Sequence, residues 1–544
     1  MKLSCTRSIN VLDCLLLLFV AFIAIINKTV SIDVAYKVII LILAYSASRI
    51  LFSAFPLLAN RVILLGLIIA CSYELFLGMA QLSGHSFSNH YLYLLTGSFD
   101  NPGPYGGFMA VCLSLVGIYI LDDEKENKHK TLLRRIHSWI LYLFIIAILC
   151  ILPLTRSRSA ILAFVCSAAI YYIISFKNRP YYRKVLIISA FVSAFLCVGA
   201  YFYKKPSADG RFFINRICLN SIIQNDCSGA GLGHFGGAYG KAQALYFEKR
   251  RSRNDNGTFE WRQIKENERL TADCPDRAFN EFMQIGVENG LIMMILFAFM
   301  IVLAILKSLK ASTIWGYGLI AFSIFALFSY PLHIIQFQII LTILLAASAS
   351  SQSSVKASFF FAPIITLASI LIIKQMPEVK QMKNAEKEWR KVERWYLHEN
   401  YEYVAMNLEP LFSYMKGDYR YLFAYGQSLN KIGEYEKSDS ILKMGTEISS
   451  DPMFWNVMGN NSLAMGRYRE AEERYKHAFY MVPNRLYPLN LLAKLYYAEG
   501  DTARFLDMAD KVETFIPKVE STSTAQLRDE IRLLKTDILL KQEP

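Results

Sequence analysis

Residues 285–306 read Ile285-Gly-Val-Glu-Asn-Gly-Leu-Ile-Met-Met-Ile-Leu-Phe-Ala-Phe-Met-Ile-Val-Leu-Ala-Ile-Leu306, and Lys307 closes the run. A helix needs about 20 mostly apolar residues to cross the hydrocarbon core of a bilayer. Similar runs recur at about 10–27, 33–49, 62–82, 105–121, 137–154, 159–175, 185–203, 312–329, 334–350 and 357–374, so the pattern predicts eleven spans. Inside a bilayer the backbone must satisfy its own hydrogen bonds, and runs of this length do so as helices. The expected class is therefore all-α, a polytopic membrane protein. Only 19% of the 544 residues are charged and 54% are hydrophobic, which excludes a disordered chain and a small disulfide scaffold.

The first run follows Lys2 and Arg7 and lacks a small-x-small cleavage site, so it reads as an uncleaved anchor rather than a signal peptide. Orientation follows the Lys and Arg of short loops. With the N-terminus inside, the inner loops hold Arg49 and Arg61; Lys125, Lys128, Lys130, Arg134 and Arg135; Lys177, Arg179, Arg183 and Lys184; Lys307 and Lys310; and Lys356. The outer short loops are nearly free of positive charge except for Arg156 and Arg158. Segment 83–104, the long loop 204–284 and everything after 375 then share the outer face. The net charge of +13 reflects these loops and an anionic substrate, not nucleic acid. None of the ten cysteines forms a CxxC or Cys/His metal spacing, and no metal or cofactor is expected. Cys227 and Cys274 flank the outer loop. A disulfide between them would staple its ends, with Cys218 a rival partner and free thiols an equal alternative.

Beyond about 384 the composition turns polar. Gly426 and Gly459 are 33 apart, Ala493 follows 34 later, and Gly433, Gly466 and Gly500 repeat the spacing. A 34-residue period resembles the tetratricopeptide repeat. Trp455, Gly459, Ala471, Tyr475, Ala478 and Pro483 occupy the pattern's positions. Repeats are expected at about 419–452, 452–485 and 486–519, preceded by a degenerate helix pair at 384–416 and closed by a helix at 524–541. The expected domains are a membrane domain, 1–375, that includes loop 204–284, and an outer repeat domain, 376–544. The repeat domain would bind a protein partner.

The outer segments carry the polar motifs. Residues 97–103 read Gly-Ser-Phe-Asp-Asn-Pro-Gly, 157–160 Ser-Arg-Ser-Ala, 209–216 Asp-Gly-Arg-Phe-Phe-Ile-Asn-Arg, and 229–235 Gly-Ala-Gly-Leu-Gly-His-Phe. Residues 276–290 run from Asp276-Arg277 through Asn280, Gln284 and Glu288 to Gly290. No strand precedes Gly229, so its glycines form a turn and not a dinucleotide fingerprint. In order and spacing these stretches, over about 83–350, resemble the O-antigen ligase and polymerase superfamily of bacterial membrane glycosyltransferases. The resemblance implies a GT-C-like, inverting, metal-independent enzyme of the bacterial inner membrane. It would take a glycan from an undecaprenyl-diphosphate carrier on the periplasmic face, as an O-antigen ligase of lipopolysaccharide biosynthesis does. The acceptor would be lipid A core, a further glycan repeat (a polymerase) or a protein hydroxyl (a protein O-oligosaccharyltransferase).

A diphosphate leaving group carries two or more negative charges, and guanidinium forks match its geometry. Arg156, Arg158, Arg211, Arg216 and Arg277 are the candidates for donor binding, and Arg158 with Leu162 fits the ligases' Arg-x-x-x-Leu pattern. Lys249, Arg250, Arg251 and Arg253 read as a solvated run. The ligases place a His before the Asn of the membrane-entering helix, where this chain has Phe279. A base for the acceptor hydroxyl must then come from Glu288, His234, Asp276 or Glu281. Burial at the membrane edge would raise the pKa of Glu288. Asn280, Gln284 and His333 are candidates for substrate contact. Two other classes compete with the enzyme. A transporter is disfavoured because neither an inverted repeat nor a charged mid-span residue stands out. A non-catalytic envelope scaffold would explain Phe279 as a lost site. Removal of 384–544 is expected to alter acceptor choice more than donor turnover.

Overall fold

The computed structural model describes residues 10–26, 32–126, 132–250, 252–253, 259–260, 264–350 and 357–542; of the positions singled out above, Lys2, Arg7, Lys128, Lys130, Arg251 and Lys356 lie outside them. The chain is helical apart from a two-residue antiparallel pairing of Ser252 with Glu260 and Arg253 with Phe259. Among the described residues, seven helices are long and apolar enough to cross a membrane: Asp33–Ala54, Pro56–Leu82, Pro102–Asp123, Ser138–Thr155, Arg158–Ser175, Leu291–Lys310 and Phe360–Leu397. Three further expected spans are shorter apolar helices, Val11–Ala24, Trp315–Leu327 and Ile335–Ser350. At 1.5 Å per residue the second of these covers only about 20 Å, and the turn at Pro331–His333 separates it from the third. The run at 185–203 lies in helix Tyr182–Tyr203, outside those seven.

The described chain divides into two compact units: Met1–Lys205, Phe279–Phe282 and Ile292–Gln375; and Pro206–Ala278, Met283–Leu291 and Met376–Pro544. In the first unit, helix Pro102–Glu126 is central and packs on helices Arg158–Ser175, Trp315–Leu327 and Pro56–Leu82. Small residues allow the approach. A Cβ on Gly107 would meet the Phe325 ring at 2.2 Å, and one on Gly318 would meet Leu115 at 2.6 Å. Arg49 is not in an inner loop as its charge suggests. It lies inside helix Ile32–Ala54, fully buried, with Nε 3.0 Å from Asp13 Oδ1. Tyr45 donates to the same carboxylate at 2.6 Å. A buried charge at that depth is sustained only by such pairing.

In the second unit, helices Tyr419–Lys431, Tyr435–Ile448, Met453–Ala464, Tyr468–Met481, Tyr487–Glu499 and Thr502–Thr514 each pack on the next. Gly433, Gly466 and Gly500 recur at the turns because all three are left-handed, at φ of 88°, 73° and 77°. Gly426 and Gly459 are small because Leu442 and the Tyr475 ring lie where a Cβ would go.

The division departs from the expected domains. Residues 206–278 pack with the C-terminal helices rather than with the membrane helices. In helix Phe235–Glu248 the backbones of Gly236 and Gly237 lie directly against Thr446–Ser450. Arg269, almost fully buried, donates to the Ile516 carbonyl at 2.9 Å, and Asn484 donates to the carbonyls of Arg269 and Ala272 at 2.9 and 2.7 Å. Polar side chains of residues 206–278 thus have their partners on the C-terminal helices, a contact that local composition does not reveal.

His477 sits against the Trp455 ring at 4.1 Å with its Nε2 buried and without a hydrogen-bond partner. Burial, helped by Lys241, pulls its pKa down to about 4. The unfolded imidazole titrates near 6.5, so this contribution to stability is complete above that pH and is lost as pH falls from about 6.5 toward 4. The loss is up to roughly 3 kcal/mol. Thermal unfolding at pH 7 and pH 4.5 should show a larger drop for the wild type than for His477→Phe; equal drops would refute it.

Candidate functional site

In the first unit the Gly97–Gly103 turn is held by two buried polar side chains of helix Pro56–Leu82. Gln81 Oε1 accepts the backbone N–H of Thr96 and Gly97 at 2.9 and 2.8 Å. Glu74, only 6% exposed, accepts the N–H of Ser98 at 2.9 Å and the Ser98 hydroxyl. Gly97, at φ 57°, lies so close to Glu74 that a Cβ would approach the carboxylate to 2.3 Å. Glu74 is therefore, with Arg49 and Asp13, a buried charged residue inside an apolar helix that the sequence reading overlooked. A lone acid in a 27-residue apolar helix was the available signal.

The same turn meets the Thr155–Arg158 corner. The Ser157 hydroxyl donates to the Gly103 carbonyl at 3.4 Å, and Gly106 lies against Thr155 and Ser157. Arg156 is exposed and left-handed, at φ 52°, where it closes the 3-10 turn Leu152–Thr155. Arg158 opens helix Arg158–Ser175, and its Nη1 lies 3.4 Å from the Lys204 carbonyl oxygen.

A second cluster of this unit gathers Phe279–Phe282 with Tyr330–His333. Glu281 is 1% exposed; its Oε1 accepts the N–H of Leu332 at 2.5 Å and lies 3.7 Å from His333 Nδ1. Phe279, at φ 52°, stands edge-on to the Tyr330 ring at 5.6 Å, and Asn280 Oδ1 accepts the N–H of Phe282 at 3.1 Å. Phe337, one turn beyond His333, packs against Phe99 of the glycine turn and so joins the two clusters. Sequence reasoning named Glu281 and His333 separately; the 52 positions between them hid the pairing.

In the second unit the glycine turn at 227–233 docks on the end of helix Glu281–Asn289. Ala230 and Gly231 donate to the carbonyls of Val287 and Glu288 at 2.9 and 2.8 Å, and Leu291 donates to that of Cys227 at 3.0 Å. Gly290 (φ 90°) faces the Cys227 carbonyl, where a Cβ would come to 2.4 Å. Gln284 and Glu288 are buried and bonded to each other at 2.9 Å, and Gln284 also accepts the Ala278 N–H at 2.8 Å. His234 Nδ1 lies 3.1 Å from the Leu232 carbonyl oxygen of its own turn, and Asp276 accepts from the Tyr419 hydroxyl at 3.3 Å.

Helix Lys205–Gln224 buries Phe213 and Ile217. Arg211 and Arg216, five residues apart, point about 140° from each other at 100° per residue. Arg216 is engaged with Glu268 at 2.8 Å, and the Tyr246 hydroxyl beside it helps raise its pKa. Arg211 and Arg277 are both half-buried.

No disulfide closes the loop: Cys218, Cys227 and Cys274 are free thiols. Cys274 faces Arg485 instead, 3.0 Å from Nη2, and burial pushes its thiol up to about 11. Thiolate at pH 7.5 is then scarcer than at an ordinary cysteine by on the order of a hundredfold. Alkylation of Cys274 should be slow, steeply faster toward pH 10, and identical with and without prior reduction. A reductant-dependent mass shift would contradict it.

No curated protein matches the chain. Residues 143–298, which include the Arg156–Arg158 corner, the long segment 204–284 and helix Glu281–Asn289, match the family model described as O-Antigen ligase. That match supports the O-antigen ligase superfamily and, with it, a multi-pass membrane protein that transfers glycan.

Proposed function

We propose that the chain transfers a glycan from an undecaprenyl-diphosphate carrier to an acceptor hydroxyl, on lipid A core or a surface glycan, at the periplasmic face of the bacterial inner membrane. The observation that carries the reading is the Glu281–His333 pair beside Phe279. It supplies an imidazole next to the position where the ligases have one. Glu281 orients Nδ1, and Nε2 takes the proton of the acceptor hydroxyl as its oxygen attacks the anomeric carbon. The bond from that carbon to the diphosphate oxygen breaks on the opposite side, which inverts the centre. Arg158, in the same unit as His333, neutralises the departing diphosphate, and Arg211 is a further candidate for donor binding. Asn280 caps the membrane-entering helix rather than touching substrate, and Gln284 and Glu288 brace it. On this reading the C-terminal helices are a tetratricopeptide-type array, and eleven spans from an inner N-terminus would carry them to the periplasm.

Cells lacking the chain should accumulate undecaprenyl-linked glycan and lose the ligated product on electrophoresis; an unchanged lipid-linked pool would sink the reading. Arg158→Ala and Arg211→Ala should each cost roughly tenfold or more, since a charge-assisted bond is worth about 1.5–3 kcal/mol and about 1.4 kcal/mol is tenfold in rate. Lys should rescue only partly, for it lacks the planar fork. Arg250→Ala should do little, because that guanidinium is spent on the Tyr246 carbonyl and ring. Normal transfer in both alanine variants would remove the donor assignment.

A further inference from the structure

Within the second unit, the helices after Met376 enclose a cavity of about 230 Å³ that neither the transfer chemistry nor the repeat pattern uses. Its wall is aromatic and acidic: Trp389, Tyr396, Tyr419 and Phe423, with Glu393 and Asp451 among them. Arg420 is the one cation in the lining. Glu393 has no ion-pair partner among the described residues, whereas Asp451 is held by Arg485 at 3.2 Å. We propose that this cavity binds a neutral or amino sugar, one or two rings of a glycan.

The lining chemistry selects that occupant. A pyranose presents an apolar face of axial C–H bonds, which packs on the electron-rich face of an aromatic ring. Its edge presents hydroxyls, which carboxylates accept strongly. Glu393 and Asp451 balance Arg420 and the neighbouring Arg485, so the cavity offers no excess positive charge to hold the diphosphate end of a donor. The volume is below the roughly 300–1,000 Å³ of sites for drug-sized ligands, which suits a short saccharide better than a folded peptide. The wall is also fastened to the chain that leads into the membrane-entering helix. Tyr419 donates to Asp276, Ser450 donates to the Pro275 carbonyl at 3.1 Å, and Arg485 bridges Asp451 and Cys274. The lining residues Tyr419 and Asp451 are thereby tied to residues 274–276 of the same unit.

That this sugar belongs to the transferred glycan rests on the proposed function; the binding itself does not. The test is saturation-transfer NMR on the full chain in lipid nanodiscs. The probes are chitobiose, lactose and the surface polysaccharide released from the host cell by mild acid, with an acidic hexapeptide as competitor class. At least one saccharide should bind saturably, and Glu393→Gln and Tyr396→Ala should each weaken it fivefold or more. Arg469→Ala, exposed and outside the lining, should bind it as the wild type does. The proposal is overturned if no saccharide saturates, if both cavity variants bind like the wild type, or if the peptide alone binds. Saccharide binding alongside an unchanged lipid-linked pool in deletion cells would refute the transferase reading and leave the cavity assignment standing.

Discussion

His333→Ala is expected to cut glycan transfer by about a hundredfold or more, the usual scale for loss of a positioned general base, with membrane insertion and protein level unchanged. Glu281→Gln should act through His333 and cost less. It keeps the acceptor for the Leu332 N–H but loses the charge beside Nδ1, so kcat should fall with KM little altered. The neighbouring Phe279 provides the decisive variant. Its backbone is left-handed at φ 52°, a region in which His is enriched among non-glycine residues. Phe279→His should therefore fold, and in the His333→Ala background it should recover part of the rate. A His333→Ala chain with normal transfer, or a Phe279→His chain that fails to rescue while remaining folded, would remove the imidazole from the mechanism.

Gly237→Ala should be the most damaging of the small substitutions. The added methyl would lie 2.2 Å from the Glu447 carbonyl oxygen, and both sides of the contact are backbone. Relief requires the helix Phe235–Glu248 to back away from the C-terminal helices. Overpacking of this kind costs roughly 1–3 kcal/mol, occasionally more, and a unit of this size should lose about 5–10 °C in Tm. Gly417→Ala, with nothing within 4 Å of its Cβ, is the control. The same packing reverses the expectation for removal of 384–544. Without those helices Arg269 loses the Ile516 carbonyl and Gln243 keeps Asp273 but loses Met481, and Gly236, Gly237 and Gly240 lose the backbone and side chains they pack on. Transfer should be abolished outright, not redirected to another acceptor. A truncated chain that still turns over donor would show that residues 206–278 hold their shape alone.

The all-helical class was legible because apolar runs of bilayer length leave the backbone no alternative. The helix pairs of the C-terminal region were legible because left-handed turns at Gly433, Gly466 and Gly500 demand glycine at a fixed interval. The length of each span was less legible: among the described residues seven helices reach bilayer length, while three expected spans form shorter apolar helices. Arg49 misled for a related reason: charge counting treats an arginine as a loop residue until its partner, Asp13, is found 36 positions away. At the site, the motifs of one stretch could be read, but a pair such as Glu281 and His333 exists only in space.

The second unit has a history as well as a shape. Its parts lie far apart in the chain, at Pro206–Ala278, Met283–Leu291 and beyond Met376. A ribosome adds roughly 5–20 residues per second. On the order of ten to fifty seconds therefore pass between the emergence of Ala278 and that of the last C-terminal residues that its neighbours contact, near Lys518. Through that interval the glycine face of helix Phe235–Glu248 and the buried guanidinium of Arg269 wait uncovered. The nascent protein is thus exposed to proteolysis and misassociation for longer than a contiguous domain would be, and late truncations should be cleared by degradation rather than accumulate as inactive chains.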